Sequence, residues 1–244
     1  MFFASDFHLG TPTIEKSRER EKKICAWLDE IKPLCKELFL LGDIFDFWFE
    51  YKQAIPKYFV RIQAKIAEFT DAGIPVHLFT GNHDMWIFDY LPDELGVHLY
   101  RNPKVFERDN KKLYIGHGDG LGPGDYKYKF IKKVFQSKVC QWLFARLHPN
   151  FGLWLAQTFS RGSRKSTGLK DEIFYGEDKE RLIQYCKKIS TTEQYDYFLF
   201  GHRHLPLEIK INETSTYINT GDWIKYFTYA IFEKGEVKLC KYEL

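Results

Sequence analysis

The sequence predicts an α/β fold of two packed, mixed β-sheets flanked by helices, with a helical cap set into a single domain spanning residues 1–244. Three observations carry that expectation. The first half alternates short apolar runs with amphipathic helical patterns, the βαβαβ rhythm of a sheet that is at least partly parallel. The C-terminal part instead holds consecutive strand-like runs at 197–200, 207–211, 215–218, 229–232 and 237–242, with turns at Asn212-Glu213 and Lys234-Gly235, which reads as a mostly antiparallel sheet. Between the two lies a basic, aromatic stretch unlike either.

Taken in order, the first apolar run ends in Phe3-Ala4-Ser5-Asp6-Phe7-His8. Residues 14–32 place Ile24, Trp27, Leu28 and Ile31 at helical spacing, and Pro33 ends that segment. Leu38 to Leu41 is a buried strand that runs into Gly42-Asp43-Ile44-Phe45-Asp46, and Asp43 is the residue best placed to be shared between two ions. A second helix fits 57–70, with Tyr58, Ile62, Ile66 and Phe69 on one side and Gly73 as its stop. Residues 74–80 return to strand and lead into Gly81-Asn82-His83-Asp84. Short strands follow to Gly116, with a turn at Asp109-Asn110, and end in Gly116-His117-Gly118-Asp119. A further helix fits 178–189, and the strand at 197–200 ends in Gly201-His202-Arg203-His204.

A chain of 244 residues with 44% hydrophobic and 18% aromatic content can bury a substantial core. Five scattered cysteines without a CxxC pair argue against a disulfide framework and for a reducing compartment. No charged leader or cleavage site is visible, and no run of about 18 apolar residues occurs, so the expectation is a cytoplasmic protein with at most peripheral membrane contact.

The net charge of +3 conceals a strong asymmetry, because residues 123–170 carry ten Lys or Arg against one acid, Asp125. The same stretch holds Phe130, Ile131, Phe135, Trp142, Leu143, Phe151, Trp154 and Phe159, many at helical spacings. One reading is a plain helical hairpin packed on the body. The sharper one is an inserted cap, residues 123–190, whose apolar face takes acyl chains while its basic side meets phosphates or an anionic membrane surface. Nucleic acid ranks below both, because these aromatics sit at core-like spacing rather than on a strand or loop.

Five loops therefore offer Asp6, His8, Asp43, Asn82, His117, His202 and His204. A mixed N/O donor set suits Mn²⁺, Fe²⁺ or Zn²⁺ better than an all-oxygen or thiolate site would. Seven donors exceed what one ion uses, whereas two ions bridged by a carboxylate would use them all and would suit phosphoryl transfer. The i, i+2 spacing of Asp6/His8 and His202/His204 does not by itself decide which ion each residue serves.

These five fragments resemble the ordered motifs of the calcineurin-like metallophosphoesterases, and the resemblance spans Asp6 to His204. It implies that fold, a hydrolase, and two divalent ions, Mn²⁺ foremost. Asp6, His8, Asp43 and His204 would then hold one ion, and Asp43, Asn82, His117 and His202 the other. Within the superfamily the chain is most similar to the lipid A branch, which cleaves the diphosphate of UDP-2,3-diacylglucosamine to UMP and 2,3-diacylglucosamine 1-phosphate. That resemblance rests on the extended motif from Gly42 to Trp48, on Asp125 with Tyr128, and on Ser163, Thr167 and Lys170 at i, i+4, i+7.

It implies substrate contacts from Asn82, His83, Asp125, Tyr128, Ser163, Thr167, Lys170 and His202. His83 stands where that branch commonly has Arg. It would protonate a leaving oxygen or stabilise charge, with Asp84 fixing its ring. Asp46 and Asp119 are expected to hydrogen-bond the ligands, Trp48 and Trp86 to line a cleft or the core, and His77, His98 and His148 to be packing or surface residues. Two alternatives stand: hydrolysis of another nucleoside diphosphate derivative or phosphodiester, and a non-catalytic metal-binding scaffold.

Overall fold

The computed structural model describes residues 1–171 and 173–243, apart from the side chains of 161–171. Its first sheet is ordered β11-β10-β1-β2-β3-β4, comprising β1 (Phe2–Ala4), β2 (Leu38–Leu40), β3 (Val76–Phe79), β4 (His98–Tyr100), β10 (Thr228–Glu233) and β11 (Glu236–Lys241). Strands β1 to β4 run parallel, as the βαβ rhythm requires, and the β10/β11 hairpin adds antiparallel to β1. The second sheet is ordered β5-β6-β7-β9-β8, from β5 (Lys104–Arg108), β6 (Lys111–Ile115), β7 (Tyr197–Phe200), β8 (Pro206–Lys210) and β9 (Thr216–Thr220).

The C-terminal strands thus depart from the expected antiparallel sheet. Strands β6, β7 and β9 are parallel, β8 alone pairs antiparallel with β9, and the last two strands return to the first sheet. The alternation of side chains explains the layers. On β1, Phe2 and Ala4 face α1 (Ile14–Ile31) and α2 (Val60–Asp71), packing with Ile24, Trp27, Leu28, Ile62 and Phe69, whereas Phe3 faces the other sheet with Phe39, Leu113, Ile115 and Leu199. The outer face of the second sheet packs Phe198, Phe200 and Tyr217 on Leu182, Ile183 and Cys186 of α7 (Arg181–Ile189). The result is helix, sheet, sheet, helix.

Helix α2 begins at Val60, later than its apolar spacing predicts, because Tyr58 and Phe59 adopt left-handed backbone with φ 83° and 58°. Its N-cap residue supplies no acceptor, and Glu21 of α1 takes that role by accepting from the amides of Arg61 and Ile62 at 3.1 and 3.2 Å. A six-residue helix, α3 (Tyr90–Leu95), precedes β4.

The insertion forms α4 (Tyr126–Gln136), α5 (Lys138–Phe144) and α6 (Pro149–Asp171). Helices α4 and α5 bury no residue, and Phe130, Trp142, Trp154 and Phe159 are 69%, 57%, 59% and 72% exposed. The core-like spacing of these aromatics therefore does not produce a core, which disfavours the packed hairpin. Trp48 is wholly buried against Phe45 and lines no cleft, whereas Trp86 donates to the Phe135 carbonyl at 2.8 Å and joins cap to body.

Candidate metal centre

Parallel register brings the loops after β1, β2 and β3 out level with one another, because Ala4, Leu40 and Leu78 are aligned neighbours. The first two stay laced beyond their strands, with Asp6 donating to Gly42 O at 3.0 Å and His8 to Asp43 O at 2.9 Å. The loops after β6 and β7 join from the second sheet, tied by Gly201 N to His117 O at 3.0 Å. Two motif glycines are required by this closeness. A Cβ on Gly81 would lie 2.1 Å from Asp43 Oδ1, and one on Gly42, at φ 93°, would lie 2.7 Å from His117 Nδ1.

All seven candidate ligands converge. His8 Nε2 lies 3.1 Å from His204 Nε2, 3.6 Å from Asp6 Oδ1 and 3.7 Å from Asp43 Oδ2. The same Asp43 Oδ2 lies 3.4 Å from His117 Nε2, and Asn82 Oδ1 lies 3.2 Å from His117 Nε2 and 2.9 Å from His202 Nδ1. Donors at about 2.0–2.2 Å from one ion are separated by roughly 3 Å when at right angles, and among the described residues Asp6/His8/His204, His8/Asp43/His83 and Asp6/Asp43/His117 each bring three possible donor atoms within 4.8 Å of one another.

The other atoms of these groups are held from behind. Asp43 Oδ1 accepts from the His83 amide at 2.8 Å, and Asp6 Oδ2 from the His202 amide at 2.9 Å and from Ser5 Oγ at 2.5 Å. His117 Nδ1 donates to Leu41 O at 2.7 Å, and His204 Nδ1 faces Asp222 Oδ2 at 3.3 Å, so each ring presents Nε2 to the centre. Asp6 Oδ1 is left buried with no hydrogen-bond partner, which is how a donor atom reserved for a cation presents itself. The residues present fit divalent ions.

Electrostatics follow from burial opposed by neighbours. Burial would raise the Asp6 carboxyl, but His204 and His8 outweigh it and hold it at about 2. Burial likewise opposes the ionisation of Asp43, and His117 and His83 overcome it to bring this carboxyl well below its usual range. Burial drives His8 down to about 3 and, helped by His117, His202 to about 4. His117 and His204 go the other way. Against burial, Asp43 lifts His117 to about 10, and Asp6 and Asp222 lift His204 to about 8. Backbone strain is concentrated in the same place: Asp6, His8, Asp43, His202 and His204 all have φ between 44° and 66°, a region that costs a non-glycine residue roughly 1–3 kcal/mol.

One expectation needs correction. Asp84 does not fix the ring of His83. It is fully buried and accepts from the amides of Gly81, Ile44 and Phe45, tying the loop after β3 to the loop after β2. Its carboxyl rises to about 7 because it is buried and next to Asp43. The His83 ring is held instead by Asp46, whose carbonyl accepts from Nδ1 at 3.0 Å. Asp125 is exposed and paired with Arg181 at 2.7 Å, outside the convergent cluster. The Tyr128 hydroxyl bonds to Asp119, which also pairs with Lys132 at 2.7 Å, so these groups fasten α4 to the loop after β6. Ser163, Thr167 and Lys170 lie outside the described residues. Sequence reasoning missed Asp222 and Ser160; Ser160 sits inside a helix with no local signal, whereas Asp222 follows β9 in a Gly221-Asp222 turn of the same form as Gly42-Asp43, a signal that could have found it.

A two-sheet sandwich with N/O donors gathered at the C-terminal ends of its parallel strands defines a metallohydrolase. The chain belongs to the calcineurin-like phosphoesterase family, whose profile matches residues 2–206. It is 32% identical over 249 residues to the UDP-2,3-diacylglucosamine hydrolase of Porphyromonas gingivalis, covering 96% of this chain and 94% of that one. It is 29% identical over 208 residues to the protein of the same name from Proteus mirabilis, covering 84% and 81%. The protein is accordingly a metal-dependent phosphoesterase, a hydrolase that uses divalent metal ions.

Proposed function

We propose that the chain hydrolyses the diphosphate bond of UDP-2,3-diacylglucosamine, giving UMP and 2,3-diacylglucosamine 1-phosphate in lipid A biosynthesis. The observation that carries this reading is the juxtaposition of the convergent donor cluster with a cap whose large apolar side chains are uncovered. A small hydrophilic ester would need no such surface, whereas two acyl chains would. A cleft of about 220 Å³ between cap and body, lined by Asp46, Leu9, Phe47, Phe59, Leu153 and Trp154, supplies further apolar surface.

Asp6, His8, Asp43 and His204 would hold one ion, and Asp43, Asn82, His117 and His202 the other, with Mn²⁺ favoured among metals suited to this donor set. When bound, such a pair activates water and offsets phosphate charge. The chain's own groups do the rest. Asn82 contributes an uncharged donor, so no further negative charge opposes the diphosphate, and His83 meets the phosphate through Nε2. Ser163, Thr167 and Lys170 of the cap, with Asp125 and Tyr128 nearby, would bind the remainder of the substrate. No helix among the described residues is long and apolar enough to cross a membrane. The exposed cap aromatics with their basic neighbours support peripheral contact with the inner face of the cell membrane.

Incubation of the Mn²⁺-loaded protein with UDP-2,3-diacylglucosamine is expected to release UMP, and Asp43→Ala is expected to release none. Equal rates on the diacylated substrate and its deacylated form would defeat the lipid-binding role of the cap. Turnover of other phosphate esters without UMP release would replace the substrate.

A further inference from the structure

Ser160 belongs to the cap helix α6, yet its hydroxyl lies 3.3 Å from His83 Nδ1 and 3.3 and 3.4 Å from the two carboxylate oxygens of Asp46. These groups are 77 and 114 residues away in sequence. A carboxylate only accepts, so the single hydroxyl hydrogen goes to Asp46, and the oxygen's lone pairs are turned toward the His83 N–H. That N–H already has the Asp46 carbonyl at 3.0 Å, so Ser160 closes a second side of it.

The rest of the ring is also constrained. The His83 amide is tied to Asp43 Oδ1 at 2.8 Å, and the His8 ring meets it edge-on at 4.8 Å between centroids. Its Nε2 makes no hydrogen bond among the described residues, which leaves that atom for a ligand. The Asp46 carboxylate that Ser160 touches also faces His8 Nδ1 at 3.6 Å. Other cap ties include those from Lys132 and Tyr128 to Asp119, from the Phe135 carbonyl to Trp86, from the Phe144 ring to Phe47, Phe49 and Trp86, and from Glu180 to Arg203. They press the cap onto the body without touching His83. Among the described residues Ser160 is the only cap side chain hydrogen-bonded to it.

We propose that Ser160 is a positioning residue for His83, through which the seating of the cap is transmitted to the group that faces the phosphate. The inference rests on the reading that His83 meets the substrate. It requires that the cap do more than hold lipid: a cap lifted from the body would leave the His83 N–H open to water and the ring less fixed.

The test uses a small diester without acyl chains, bis(p-nitrophenyl) phosphate, and Mn²⁺-loaded full-length protein. Ser160→Ala is expected to lower kcat about tenfold with KM within about twofold, the signature of lost orientation rather than lost binding. Ser160→Thr, which keeps the hydroxyl, is expected to recover kcat to within about threefold. In ¹⁵N-labelled protein loaded with diamagnetic Zn²⁺, the His83 Nδ1–H resonance should be visible in wild type and Ser160→Thr and broadened away by exchange in Ser160→Ala.

A loss confined to KM, an unchanged kcat, or a kcat loss that Thr does not recover would overturn the proposal, as would persistence of that resonance in Ser160→Ala. If the wild-type protein cleaved no phosphate ester, the functional reading would fail, and the resonance comparison alone would still decide the role of Ser160.

Discussion

His117 and His204 carry protons that a metal ion must displace. Against the opposing effect of burial, their carboxylate neighbours hold them at about 10 and about 8, so both are charged at pH 7 in the metal-free protein. Loading must therefore release protons, and apparent metal affinity should climb as pH rises through 7 toward 8. Calorimetric titration with Zn²⁺ in buffers of different ionisation enthalpy is expected to give buffer-dependent heats, and heats independent of buffer would refute this. The ligands themselves were legible in the sequence because each follows a short apolar strand in a turn bearing Gly, Ser or Arg. Their supports were legible only in part: Asp46 was expected beside the ligands, but not as the group that holds His83, and Asp222 was not expected at all. Asp222 behind His204 and Asp46 behind His83 are 18 and 37 residues from the side chains they orient, and nothing in a spacing pattern reports which acceptor lies behind a ring.

Helix α2 has no acceptor of its own at its start, and Glu21 supplies one from the neighbouring helix. Glu21→Ala should cost about 1 kcal/mol and lower Tm by about 2–4 °C; an unchanged melting curve would show that water caps α2 instead. Strand β3 offers a pH effect. His77 is buried on Phe39 and faces Glu37 at 3.2 Å, and burial lowers its pKa. As pH falls below 6.5 the unfolded chain takes up this proton before the folded one does, so stability declines from there downward. Glu37 adds a decline of the same sign below 4.5, because Arg108, against burial, holds it low. Urea unfolding at pH 7 and pH 5 should show wild type losing more stability than His77→Phe, whereas equal losses would remove His77 from the account. The existence of α1, α2 and β3 was readable from periodicity. The late start of α2 was not, because nothing local announces left-handed Tyr58 and Phe59.

At the scale of the whole molecule, periodicity predicted helices in the cap but not what covers them. An apolar stripe looks the same whether it meets a core or a lipid, and here Phe130 and Trp142 stand 69% and 57% exposed. Replacing both with Ser should change Tm by less than about 1 °C, since neither is buried, while co-sedimentation with anionic vesicles falls at least about threefold and becomes insensitive to further cap substitutions. Undiminished vesicle binding would place the contact elsewhere. The assignment of the closing strands to sheets was likewise hidden, because an apolar run does not say which neighbour it pairs with. That pairing matters for one reason beyond catalysis. Three donor loops leave the first sheet and two leave the second, so cations seated among them rivet the two halves of the sandwich along their shared rim. Chelation should then loosen the seam itself: amide exchange would quicken along Phe39 and Leu199, well inside the protein, and the two sheets would part more readily than either would unravel.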